Sequence, residues 1–388
     1  MAAHRRGFRA RRACPEARGG GTRAPSGPQG DAGVSVRVIL LALALLLGAG
    51  GAVGQGYAGL GTAAEGFAAV TRPADLRFPR DHGPHPAFRI EWWYLTADLR
   101  GEDGAEYGAQ WTLFRVATRP GAEGAGWASN QIWIGHAAVT SAAAHRHAVR
   151  YARGGVGQAG ATGEPFAAWI DDWTLESRAG EGEDAMAAVR VAASGEGFRF
   201  ALEGRAAGPL VRHGEAGFSL KAAAGQASYY YSQPFLRLAG ELEIDGRRVA
   251  VSGTGWIDRE WSSQQMSPEQ TGWDWFSLHL DDGARLMAYR LRDRGGGGAA
   301  FGTWIAADGT ARPLGPGEIV LTPTRTAEVA GRRLPVGWRL EAPGLGVAVD
   351  TEAVNAQSWM GGAFPYWEGP IRVTGTHPGR GYLELVGY

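Results

Sequence analysis

From Ile90 the chain runs Ile-Glu-Trp-Trp-Tyr-Leu-Thr-Ala-Asp-Leu to Leu99, turns over Gly101-Glu102-Asp103-Gly104, and returns as Tyr107 to Val116 with a period of two. Aromatic and β-branched residues on both sides of a glycine turn read as a β-hairpin. The pattern recurs. Asp245-Gly246 joins Leu236–Ile244 to Arg247–Gly255, Asp282-Gly283 joins Phe276–Leu280 to Arg285–Leu291, and Asp308-Gly309 marks a further turn. No capped apolar stretch of helical period runs beyond about ten residues in the body of the chain. The 15 Trp and 62 Gly fit the same picture of many short strands and tight turns. The expected fold is all-β, a barrel or sandwich.

A weak internal repeat sharpens this. Glu91-Trp92-Trp93, Phe114-Arg115 and Trp133-Ile134 occur in order in the first half; Asp274-Trp275-Phe276, Tyr289-Arg290 and Trp304-Ile305 occur in the same order in the second. Trp169-Ile170-Asp171-Asp172-Trp173 and Trp256-Ile257-Asp258-Arg259-Glu260-Trp261 form another similar pair. The physical reading is two copies of a similar antiparallel barrel.

Val38 to Val53 is an uncharged apolar run preceded by Arg37 and followed by small residues. Those are the parts of a secretory signal, and the run is shorter than the ~20 residues of a membrane span. The expectation is an exported protein, periplasmic or secreted, with an uncleaved N-terminal anchor as the alternative. Cys14, the only cysteine, precedes this run, so the exported body has no disulfide, thiol nucleophile or thiolate metal site. Lysine plus arginine (39) equals aspartate plus glutamate (39), but eight arginines lie in the first 56 residues with only Glu16 and Asp31 opposing them. The body is therefore acidic and offers no basic face for a nucleic acid. Lys221 is the only lysine.

Several segments resemble the AttH / carotenoid 1,2-hydratase group. They are Ile90–Tyr94, Tyr107–Arg115, Gln131–Val139, Gln226–Pro234, Trp256–Ser262, Gly272–Phe276 and Pro365–Pro370, and they span nearly all of the body to Tyr388. The resemblance implies two tandem lipocalin-like (calycin-type) barrels. Its expected organisation is a leader over 1–56, an AttH-type domain over 57–250 and a second lipocalin-like domain over 251–388. It implies an exported protein that binds a hydrophobic small molecule (a polyene, terpenoid or lipid), either as a cofactor-free hydratase or isomerase or as a non-catalytic carrier serving an envelope transport system. Taking such a ligand from a bilayer would bring the protein to a membrane surface.

Hydrating an isolated alkene needs an acid strong enough to protonate carbon, aromatic faces to shield the cation, and a water. A carboxyl kept neutral by apolar surroundings can be that acid. No metal or cofactor is required. The candidate catalytic residues are Glu91, His136, Asp258, Glu260 and Asp274, and the candidate ligand-binding aromatics are Trp93, Trp111, Trp133, Tyr230, Trp256, Trp261 and Trp275. Each has a structural reading too. Asp258-Arg259-Glu260 also fits an ion-pair cluster tying the barrels, Glu91 a pair with Arg115 on the next strand, His136 a satisfied core histidine, and Asp171-Asp172 a turn. His82/His85 and His145/His147 have metal-like spacing, but Pro84 and Pro86 crowd the first pair and no third ligand is evident. Gly-x-Ser-x-Gly does not occur, and Gly155–Gly160 matches a dinucleotide pattern only by letter.

Overall fold

In the computed structural model, which describes Leu60 and residues 64–388, the expected hairpins form and their central strands are buried on both faces. The strands of the first half are β1 (Ile90–Gly101), β2 (Glu106–Ala117), β3 (Gln131–Ser141), β4 (His145–Arg153), β5 (Ala159–Gly163), β6 (Phe166–Ile170), β7 (Trp173–Ser177), β8 (Ala188–Gly195), β9 (Phe198–Ala206), β10 (Val211–Arg212), β11 (Phe218–Leu220), β12 (Ala227–Ile244) and β13 (Arg247–Ser262). Those of the second are β14 (Gln270–Leu280), β15 (Arg285–Asp293), β16 (Gly298–Ile305), β17 (Ala311–Leu314), β18 (Val320–Val329), β19 (Arg332–Ala342), β20 (Val347–Ala353), β21 (Trp359–Met360), β22 (Tyr366–Gly375) and β23 (Gly379–Val386). The β12–β13 hairpin turns on Asp245 and Gly246 with φ of 51° and 79°, the left-handed pair that a two-residue hairpin loop demands.

The strands form two antiparallel sheets. The first runs β4-β3-β2-β1-β13-β12-β9-β8-β7-β6-β5, with β10 and β11 added to β12. It curls until β3 and β4 face β6, β8 and β9 across one core, so the barrel is nearly closed. The second runs β17-β16-β15-β14-β23-β22-β20-β19-β18, with β21 on β22, and makes a half-barrel over Phe276, Trp338 and Trp367. This is the expected all-β, lipocalin-like class. The change of sheet follows Ser262. A division at 250/251 falls inside β13, which is held in the first sheet between β1 and β12.

The repeat has a structural meaning. Glu91 lies opposite Arg115 across β1 and β2, and Asp274 lies opposite Arg290 across β14 and β15. The third member drifts: Trp133 opposes Arg115, whereas Ala300 opposes Arg290 and Trp304 lies farther along β16. The second likeness does not survive. Trp169–Trp173 spans the tight β6–β7 turn, with Asp171 at φ 52°, while Trp256–Trp261 is mid-strand in β13.

Because successive side chains point to opposite faces, each central strand serves two layers. Trp93, Leu95, Trp111, Leu113, Trp133 and Ile257 fill the barrel interior. The other faces of the two sheets meet in a layer built from Tyr94, Tyr230 and Trp256 of the first sheet and Trp275, Met287, Tyr289 and Tyr382 of the second.

Candidate functional site

The layer between the sheets contains a narrow pocket of about 80 Å³, walled by Trp92, Tyr94, Phe114, Tyr230, Trp273, Trp275 and Tyr289 and carrying Asp258, Glu260, Glu384 and Lys221. Strand parity selects these groups. On β13, Trp256, Asp258 and Glu260 share the face toward the second sheet, and Ile257, Arg259 and Trp261 share the opposite one.

Asp258 is buried and accepts only neutral donors. Tyr230 Oη donates at 2.7 Å, Trp256 Nε1 at 2.6 Å, and Ser232 Oγ donates as well. Burial raises its carboxyl to about 7 against the pull of those three hydrogen bonds. Trp275 Nε1 donates to Tyr230 Oη at 3.1 Å, so the aromatic wall and the acid form one network. Glu260, two residues on, pairs with Lys221 Nζ at 2.8 Å and accepts from Gln265 Nε2 at 2.8 Å and from Ser228. Lys221 stands 4.3 Å over the Tyr289 ring and 4.9 Å over the Tyr230 ring. Burial pulls its pKa down, but Glu260 and Tyr289 outweigh this and hold the ammonium charged.

Two further carboxyls complete this layer. Glu368 on β22 and Glu384 on β23 are directly opposite each other. Tyr94 Oη donates to Glu368, and Trp273 Nε1 donates to Glu384 at 3.0 Å. Burial and the facing Glu384 push Glu368 well above the usual carboxylate range. Burial, together with the nearby Asp258, holds Glu384 above the usual carboxylate range.

The pocket adjoins a larger apolar cavity of about 360 Å³, with Ile90, Phe114, Trp273 and Glu384 lining both. Ile132, Ile134, Val116 and Phe364 supply much of its wall. His136 belongs to this cavity. Its Nδ1 meets Tyr366 Oη at 2.9 Å, its ring stacks on Tyr366, and burial lowers its pKa to about 3, so it is neutral.

Several expected site residues lie elsewhere. Glu91 is an ion-pair hub outside the pocket: Arg115 pairs with it across the strands, Arg259 Nη2 lies 3.1 Å away and His85 Nδ1 3.0 Å. Burial alone would raise its pKa, but Arg115, His85 and Arg259 hold it below the usual range, so it cannot be a proton donor at neutral pH. Arg259 pairs with Glu91 rather than with either of its acidic chain neighbours, because it points to the other face of β13. Asp274 is clamped by Arg292 at 2.6 Å, Arg290 at 2.8 Å and Tyr388 Oη at 2.7 Å, on the face of β14 turned from the pocket. Trp93, Trp111 and Trp133 are core rather than ligand wall: Trp93 stacks on Trp133 and holds the Arg259 guanidinium 3.9 Å from its ring. Trp261 stacks on His85 at 3.9 Å at the end of the barrel. Trp256 supports the pocket through Asp258. Tyr230 and Trp275 are pocket walls.

Lys221, Tyr94, Glu368 and Glu384 escape a reading of the sequence alone. Lys221 does carry a signal, being the one lysine in an arginine-rich chain. Glu368 sits inside the Pro365–Pro370 motif, but its partner Glu384 becomes visible only when β22 pairs with β23.

Residues 69–388 match the family described as AttH-like. The crystal structure of an AttH protein from Nitrosomonas europaea is similar at 34% identity, over 83% of this chain and 100% of that one, with a TM-score of 0.72. Kievitone hydratase from Nectria haematococca shares the fold at 18% identity, over 83% of this chain and 97% of that one, with a TM-score of 0.63. No curated protein matches. Both the matched length and the 34% identity over a whole relative lead to one conclusion: the chain belongs to the AttH-like family.

Proposed function

We propose that the pocket between the sheets binds an unsaturated hydrophobic small molecule and that Asp258 protonates it, making the protein a cofactor-free hydratase or isomerase. One observation carries this reading: a buried carboxyl with no cationic partner among its hydrogen bonds, held near neutrality inside an aromatic pocket. Such an acid is substantially protonated at pH 7 and can act as a general acid. Its proton passes to one alkene carbon. The faces of Trp92, Tyr94, Trp275 and Tyr289 are suited to shield the cation on the neighbouring carbon, which then takes water or loses a proton. That kievitone hydratase, which shares this fold, is a hydratase supports the reading by analogy of fold.

The apolar annex supports the carrier reading, because a long hydrocarbon arm extending past Phe114 needs such a space and no chemistry. Export is part of either proposal. It rests on the Val38–Val53 run, which lies outside the described residues.

The test is to incubate the protein with an isoprenoid bearing a terminal trisubstituted alkene, in ¹⁸O-labelled water. Wild type should yield labelled alcohol. Asp258→Asn should bind the probe with unchanged affinity and fall by a factor of about 10²–10⁴ in turnover. Equal turnover by both proteins would sink the catalytic reading, and binding without turnover by wild type would favour the carrier.

A further inference from the structure

We propose that Glu384 is the proton acceptor of the pocket, and that Glu368 is its positioning residue, the two carboxyls holding one proton between them. The proposal rests on the reading of Asp258 as the acid.

The geometry carries it. Directly opposed residues on antiparallel strands bring their side chains to about 5 Å. Here both are carboxyls, set at the pocket in a layer where Glu368 is only 2% exposed. Two like charges cannot both persist at that separation out of water, and no arginine or lysine among the described residues forms an ion pair with either one. Their donors are neutral: Tyr94 for Glu368 and Trp273 for Glu384. Glu368 Oε2 is buried with no hydrogen-bond partner among the described residues. An ionised oxygen left in that state would be costly, and a proton held by the pair removes that cost. Of the pair only Glu384 lines the pocket, on the same wall space as Asp258.

This placement closes the reaction. Asp258 gives its proton to carbon, and the C=C π pair forms the new C–H bond. Water forms the C–O bond to the resulting cation. Its surplus proton goes to the Glu384 carboxylate, taking the pair from one proton to two. That proton then returns across the pocket to the Asp258 carboxylate, so alkene plus water gives alcohol with nothing left over.

The experiment begins without a substrate. Infrared spectra of the full chain at mildly acidic pH, in the region of protonated carboxyl groups, should show a band lost in Asp258→Asn and a second band lost or shifted in both Glu384→Gln and Glu368→Gln. A carboxyl region that neither glutamine variant changes would mean that both glutamates are ionised, and would overturn the shared proton. Absence of the Asp258 band would instead overturn the reading of the acid. With the isoprenoid probe, Glu384→Gln should lower kcat by roughly 10²-fold or more at unchanged KM. Glu368→Gln should move the alkaline limb of the pH profile, which a purely structural role would leave in place. Full activity in Glu384→Gln alongside an inactive Asp258→Asn overturns the acceptor role alone. Glu384→Asp, which keeps the acid, serves if the glutamine variant fails to fold.

Discussion

At the scale of single residues, two classes of acid are distinguished by what donates to them. Glu91 and Asp274 are matched with guanidiniums, while Asp258, Glu368 and Glu384 receive hydrogen bonds from tyrosine, tryptophan or serine. The first class should matter for stability and the second for chemistry. Glu91→Gln leaves Arg115 and Arg259 buried without their carboxylate, and removal of one member of such a group costs about 3–5 kcal/mol. Urea unfolding should show that loss, with ligand binding in the pocket retained in the fraction that folds. A change under about 1 kcal/mol would show that the hub is not what holds this end of the barrel. Sequence alone could not sort the two classes. Alternation separates Glu91 from Trp92, but it does not say which face meets the second sheet, and both faces of β1 are apolar enough to be buried. Arg115 and Glu91 are visible in the sequence as a candidate pair; the third and fourth partners, Arg259 and His85, come from elsewhere in the chain and only the fold brings them in.

At the scale of elements, the hairpins are legible because their turns are written locally in Asp-Gly pairs. The pairings that matter most for the site are not. β1 with β13 and β14 with β23 join segments far apart in the sequence, and no turn announces them. The same limit explains the tryptophans: Trp93, Trp111 and Trp133 read as ligand wall in the sequence, yet they fill the barrel, and the space lies between the sheets instead. Gly108 on β2 shows how closely those sheets approach. A Cβ there would meet the Tyr382 hydroxyl and lie 2.8 Å from Pro370 Cδ, and a proline ring in β22 cannot swing aside. Gly108→Val should therefore force the sheets apart, costing about 1–3 kcal/mol as overpacking does. It should weaken binding of the isoprenoid probe while leaving the barrel's Asp245-Gly246 hairpin, at the far end of β12, with unchanged amide exchange. Unchanged binding together with unchanged stability would show that the inter-sheet contact yields freely at this point.

At the scale of the whole molecule, three stacked layers keep titratable groups away from water, and this makes stability depend on pH in a calculable way. His136, His213 and His279 are buried neutral, their pKa lowered by burial to about 3. An unfolded chain would protonate them below its ordinary value near 6.5, so their contribution is complete above about 6.5 and is lost as pH falls. Asp98 and Asp258 are raised by burial to about 7, and the opposed Glu368 and Glu384 keep a proton above the usual carboxylate range. For these the sign is opposite: the folded protein keeps protons that the unfolded chain gives up near pH 4, so their contribution is complete in acid and is lost as pH rises through the folded values. Between about pH 4.5 and 6.5 the two sets oppose each other and the unfolding free energy should stay roughly level. Above about pH 7 the imidazoles are nearly spent and the carboxyls continue, so stability should fall by on the order of 1 kcal/mol by pH 8. Urea titrations at a series of pH values would measure this directly. Asp258→Asn should remove a measurable share of the alkaline fall, because its folded value lies at the start of that range. A free energy that climbs between pH 7 and 8 would mean that these carboxyls enter the fold already ionised, and Asp258 could then not be the acid of the pocket.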